Sequence, residues 1–166
     1  MNIAETLLPE FDHEMANTRI VLERVPDDKL TWKPHPKSWD MAHLAHHLAT
    51  IPNWGADTMN TDSLDYTGYQ PPPAPESRAE ILAAFDKGVV SARGALASAS
   101  NEAFMQNWSL SANGQTFFTM PRIAVLRSFV MNHAIHHRAQ LGVYLRLNDK
   151  PVPATYGPSA DDTLGF

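Results

Sequence analysis

Six of the chain's eight histidines lie in two short stretches: His43, His46 and His47 in "MAHLAHHLATIPNW", and His133, His136 and His137 in "NHAIHHRAQLGVYLR". Each stretch contains the spacing H-x-x-x-H. On a helix, imidazoles four residues apart project from one face, one turn apart, and can hold the same metal ion. Neutral imidazole suits zinc, nickel, iron and copper alike, so the donors do not choose the metal. The chain has no cysteine, which excludes zinc–thiolate sites, disulfides and a thiol nucleophile of its own. A di-iron bundle would need inward Glu-x-x-His pairs. The only such pair is Glu10/His13, and His13 falls about 200° from the apolar Phe11 on the helical wheel. A mononuclear nitrogen site is the chemistry these residues support.

Phase decides which imidazoles face inward. With Leu126 as the zero of the last helix, Val130, Leu141 and Tyr144 mark the apolar stripe. His133 falls at about −20° and His137 at about +20°, the centre of that stripe. His136 lies on its flank, and Arg138, at about +120°, points outward. On the earlier helix, with Leu44 as zero, His47 lies at about −60° and faces the core; His43, at about −100°, sits on the edge; His46, at about −160°, faces away. The metal set is therefore His47, His133 and His137, with His43 as a fourth ligand or a flanking residue. Gln140, at about −40° and three residues past His137, has two readings. It either accepts the second ring N–H of a metal-bound imidazole or makes a helix-packing or dimer contact. His35, in a proline-rich loop, reads as structural.

These side chains need helices to position them. Phe11, Met15, Thr18, Leu22 and Val25 share one face of a first helix over 4–25. The connection "PDDKLTWKPHPKSW" follows, folded over a bundle end and pinned by Trp32 and Trp39. A second helix starts at Ser38 or Asp40, both good N-caps, and Pro52 is expected to kink or restart it. After the polar, proline-rich "NTDSLDYTGYQPPPAPES", a third helix starts near Ser77, with Ile81, Phe85, Val89 and Leu96 on one side. "NEAFMQNWSLSANGQTFFTM" carries a strong turn signal at Asn113-Gly114, with short strands or irregular chain around it. Pro121 opens a fourth helix that runs to Leu147. The expected fold is all-α, a four-helix bundle with long connections, forming a single domain over residues 1–166.

The bulk composition agrees with this and narrows the function. The 166 residues are 43% apolar and 19% charged, with a formal net charge of −5, an ordinary globular balance. A mildly acidic chain without a Lys/Arg cluster is not expected to bind nucleic acid. With no signal-peptide pattern and no long apolar run, no membrane association is expected, and a cytoplasmic location is the default.

The stretches "KSWDMAHLAHHLATIPNW", "NHAIHHRAQLGVYLR" and "VPATYGPSADD" together resemble the DinB/YfiT-like superfamily, across nearly the whole chain and in order. Of these, N-H-x-x-H-H-R-x-Q after a second-helix histidine is the specific part. The resemblance implies a four-helix bundle, a homodimer, and one divalent ion on three histidines that match His47, His133 and His137. His43 is a departure, since such proteins do not usually need a histidine there; another is Ala139, where glycine is common. Three imidazoles leave a metal position open for water or substrate, as catalytic sites do. By resemblance, the chemistry is transfer of a low-molecular-weight thiol to an electrophile, with the thiol taken up as a substrate and held as thiolate. The alternatives are a metal-hydroxide hydrolase and a non-catalytic metal-binding stress-response protein. Trp54, Phe117, Phe118 and Phe129 do not all fit one core by phase, and are expected to supply an isologous dimer contact.

Overall fold

In the computed structural model, which describes residues 2–163, four long helical segments close a ring. Met1 and residues 164–166 of the expected domain lie outside the described residues. Helix α1 (Ile3–Leu22) is capped by the Asn2 side chain, which accepts from the Ala4 N–H. Helix α2 (Met41–Asn60) is capped by Asp40, which accepts from the His43 N–H. Helix α3 (Arg78–Ser98) is capped by Ser77, which accepts from the Glu80 N–H. Such caps satisfy amides that the first turn of a helix cannot. Helix α2 continues through Pro52 without a restart; Pro52 is buried there.

A short helix α4 (Asn101–Met105) leads into a hairpin. Strand β1 (Ser63–Asp65), from the long connection after α2, pairs parallel with β2 (Asn107–Ala112). Strand β2 pairs antiparallel with β3 (Gln115–Pro121). The turn residues Asn113 and Gly114 have φ of 52° and 74°, the double positive φ that a tight hairpin turn needs. The purely all-α expectation is therefore corrected to a mostly helical fold carrying a three-stranded sheet. The strands flank the Asn113-Gly114 turn, where the sequence leaves short strands and irregular chain both open because the alternation is short and interrupted. Buried Arg122 ties the sheet to the bundle, donating to Gln106, to the Thr61 carbonyl and to Asp62.

The last helical segment comprises α5 (Arg122–Val125), a π turn (Leu126–Met131) and α6 (Asn132–Leu147). Around the ring, α1 touches α3 and α6, and α2 touches α3 and α6. Helices α2 and α3 pack closely through small residues: a Cβ on Gly55 would lie 3.1 Å from the Ala92 Cβ. The core between the helices includes Leu7, Phe11, Leu44, Leu48, Ile81, Phe85, Leu126 and Leu145.

The π turn overturns part of the helical wheel. It takes one more residue than an α turn, so everything beyond it is rotated back by about 100°. Arg138 moves from about +120° to about +20° and faces the core. It is indeed buried, at 4% exposure, with Ala134, Leu141 and Leu145 along the same stripe. His133 and His137 move from the centre of the stripe to its flank, at about −120° and −80°, where α6 borders α2.

The aromatic residues expected at a dimer contact mostly have places within one chain. Trp54 stacks with Phe129 (ring centroids 6.2 Å apart), Phe129 with Phe118 (4.6 Å), and Phe118 meets the fully buried Trp108 (6.1 Å). The hairpin covers them, and of the four only Phe117 is largely exposed.

Candidate metal centre

His47 projects from α2, and His133 and His137 from the first turns of α6 directly after the π turn. The His137 Nε2 lies 2.8 Å from the His133 Nε2, which lies 3.3 Å from the His47 Nε2. One ligand nitrogen from each residue falls within 4.8 Å of the others, a grouping that can hold a metal ion. A tetrahedral ion with nitrogen ligands at about 2.05 Å would space them about 3.3 Å apart.

The ring electronics favour lone pairs at the centre. The Gln140 Oε1 accepts from the His137 Nδ1–H at 2.7 Å, so the His137 Nε2 carries a lone pair. Burial pushes the His47 pKa down from 6.5 to about 4, helped by His137 and His133 and, less, by His43 and His46. Burial also lowers His133 and His137; a backbone hydrogen bond to Phe129 opposes this for His133, and the Gln140 bond opposes it for His137. Neutral imidazoles with facing nitrogens satisfy each other poorly, whereas a cation among them would satisfy all three. The donor set fits a divalent metal ion.

Trp39 lies across this group, 42% exposed. Its ring stacks on His43 (centroids 4.2 Å apart) and on His137 (5.8 Å), and meets His47 edge-on (5.1 Å). Tyr144 on α6 donates to the Trp39 carbonyl, which holds the residue just before the α2 cap. From the sequence, Trp39 reads as the pin of a loop; its place four residues before His43 is the available signal for this second role. His43 is exposed and outside the three-nitrogen group, stacked on Trp39. His136 and His13 are exposed, and the His35 Nδ1 accepts from the Lys37 N–H.

A cavity of about 530 Å³ opens beside the histidines. His47 and His133 line one part of it, and Thr50, Trp54, Asp57 and Phe129 continue the wall. The connection after α2 supplies Leu64, Tyr66, Tyr69 and three prolines on the other side. His46, expected to face away, also lines this cavity and is half-buried. Its pKa is lowered, first by burial and then by His43. The wheel treated that side of α2 as solvent because the connection that folds against it has no periodic pattern.

On the far side of α6, Arg138 donates to the Glu14 carboxylate (2.8 Å), to the Glu14 carbonyl (3.0 Å) and to the Tyr156 hydroxyl (2.7 Å). Tyr156 in turn donates to Glu14 at 2.6 Å. The buried Arg138–Glu14 pair fixes α6 to α1, and the exposed Tyr156 ties the C-terminal tail to both.

Among the described residues, no helix is long and apolar enough to cross a membrane. The family model described as the DinB family matches residues 1–163. The uncharacterized protein YrdA of Bacillus subtilis (strain 168) is 26% identical over 159 residues, covering 96% of this chain and 91% of that protein. A crystal structure of a DinB-like protein from Bacillus cereus ATCC 10987 is similar with a TM-score of 0.72 at 22% identity, covering 93% of this chain and 98% of that one. A DinB-like protein, YjoA, from Bacillus subtilis is similar with a TM-score of 0.68 at 17% identity, covering 87% and 92% of the two chains. At these identities the two structures speak for the fold.

Proposed function

This chain belongs to the DinB family, and on that premise we propose that it is a metalloenzyme with one divalent ion on His47, His133 and His137. It transfers a low-molecular-weight thiol to an electrophile. The observation that carries this is the convergence of three imidazole nitrogens at the edge of a cavity large enough for a small organic molecule. When bound, the ion would hold the thiol sulfur as thiolate and keep it nucleophilic at neutral pH.

The chain's own residues do the rest. Gln140 holds the His137 ring so that its Nε2 points to the centre. Trp39 covers the group from one side and limits access of water. His46, neutral at neutral pH and facing the cavity, is placed to accept the proton that an entering thiol gives up. The cavity receives the electrophile. Without a cysteine, the sulfur has to arrive on a substrate.

The test is a conjugation assay on zinc- and nickel-loaded protein, with a panel of small thiols and a chromogenic electrophile such as a chlorodinitrobenzene. Turnover that vanishes in His47→Ala supports the reading. Hydrolysis of ester or amide substrates without any thiol requirement would point instead to a metal-hydroxide hydrolase. A homodimer and residence in the cytoplasm are parts of the same proposal. Exposed Val143 and Leu147 on α6 offer apolar surface for the dimer.

A further inference from the structure

The cavity beside the histidines has a definite chemical character. Its aromatic wall is made by Trp54, Tyr66, Tyr69 and Phe129. Tyr66 sits 5.8 Å from Trp54 and 4.7 Å from Tyr69, ring centre to ring centre, both pairs tilted. Aromatic rings attract a cation electrostatically within about 6 Å of the ring centre.

Its ionisable residues, apart from histidines and tyrosines, are all acidic: Asp40, Asp57 and Asp65, with no lysine or arginine among the lining residues. Two of these carboxylates already have work within the chain. Asp40 caps α2, and Asp65 accepts from the backbone and hydroxyl of Thr67. Asp57, exposed at the cavity wall, has a carboxylate with neither a hydrogen bond nor an ion pair among the described residues, and partial desolvation by the neighbouring wall pushes its pKa up. A carboxylate without a partner, on the same cavity as aromatic rings, attracts a cation brought between them.

We propose that the cavity binds a small organic ammonium ion with a flat apolar body, its positive charge held between Asp57 and the Trp54–Tyr66–Tyr69 wall. This names the class of electrophilic substrate and rests on the transfer reading above for the word substrate; the binding itself does not require the metal. An anionic molecule of the same shape meets three carboxylates and no countercharge, so the cavity selects against it.

The experiment uses the full chain, stripped of metal with a chelator and, separately, zinc-loaded. Calorimetry compares three probes of one body: benzyltrimethylammonium, which has no lone pair to offer a metal, benzyl alcohol and benzoate. The expected order in the metal-free protein is the cation first, benzyl alcohol about tenfold weaker, and benzoate weaker still, and the cation should bind as tightly with zinc present. Asp57→Asn should bring the cation's affinity close to that of benzyl alcohol and leave benzyl alcohol unchanged. In the metal-free protein, benzyl alcohol or benzoate binding as tightly as the cation, no detectable binding of the cation, or Asp57→Asn without effect on the cation would each overturn the proposal. Because binding is read without metal and without turnover, cation binding in a protein that proves inactive with thiols would remove the transfer reading while leaving this site in place.

Discussion

Gln140 and His137 lie one helical turn apart on α6, and the Gln140 Oε1 accepts the His137 Nδ1–H at 2.7 Å. That bond selects the ring tautomer whose Nε2 is free to bind a metal. Partners of this kind hold the ligand's orientation, and their loss typically weakens metal binding about 10–100-fold. Gln140→Leu should therefore weaken zinc binding by that factor, measured by competition with a chromophoric chelator. Gln140 is exposed, so the fold should tolerate the change. Unchanged affinity would make the contact incidental to the site.

Trp39 is the one tryptophan ring in contact with His43, His47 and His137 together. Adding nickel or copper to the stripped protein should quench its fluorescence in step with binding, and Trp39→Phe should lose most of that response. The same variant should release metal to a chelator faster, because a smaller ring covers the group. If Trp39→Phe keeps the full quenching, the signal comes from Trp54 at the cavity wall and the covering role fails.

The pH dependence follows from His47. Its folded-state pKa is depressed to about 4 from 6.5, so the unfolded chain binds the proton more readily. Between those values the unfolded state holds more protons. The stability of the metal-free protein is thus fully present above 6.5, falls as the pH drops through this window, and levels off below about 4 as far as this group is concerned. Urea melts across the window should show a flatter pH profile for His47→Leu than for the native chain. Identical profiles would mean that His47 titrates normally in the folded protein.

Arg138 and Glu14 are both buried. Arg138→Met leaves the Glu14 carboxylate with the Tyr156 hydroxyl but without its countercharge, and breaking a buried pair in this way costs about 3–5 kcal/mol. Tyr156→Phe removes two hydrogen bonds, with Arg138 and with Glu14, at an exposed position and should cost only about 1–2 kcal/mol. Denaturant unfolding measures both. A loss for Arg138→Met no larger than for Tyr156→Phe would show that the ion pair contributes little to holding α6 against α1.

The histidines could be found from the sequence because H-x-x-x-H on a helix leaves few outcomes, and their rough side survived an error in phase. The error itself came from Leu126–Met131, where a π turn inserts a residue that no side-chain pattern announces. It moved Arg138 inward and His133 and His137 to the border with α2, the place from which they meet His47. The cavity was not legible for a different reason. Its outer wall, with Tyr66 and Tyr69, comes from a connection whose position is set by three residues of parallel pairing between β1 and β2, too short a strand to show as alternation. The hairpin likewise gave places inside one chain to Trp54, Phe118 and Phe129, which had looked surplus when only helices were counted.

The central claim is that His47, His133 and His137 together hold one divalent ion, and metal content per chain tests it most directly. Purified native protein and the single variants His47→Ala, His133→Ala, His137→Ala and His46→Ala are loaded with zinc, passed over a desalting column and analysed by inductively coupled plasma mass spectrometry, with circular dichroism to check that each remains helical. The account predicts one ion per chain in the native protein and in His46→Ala, and little retained metal in the other three. Full stoichiometry in all three of those variants would contradict it.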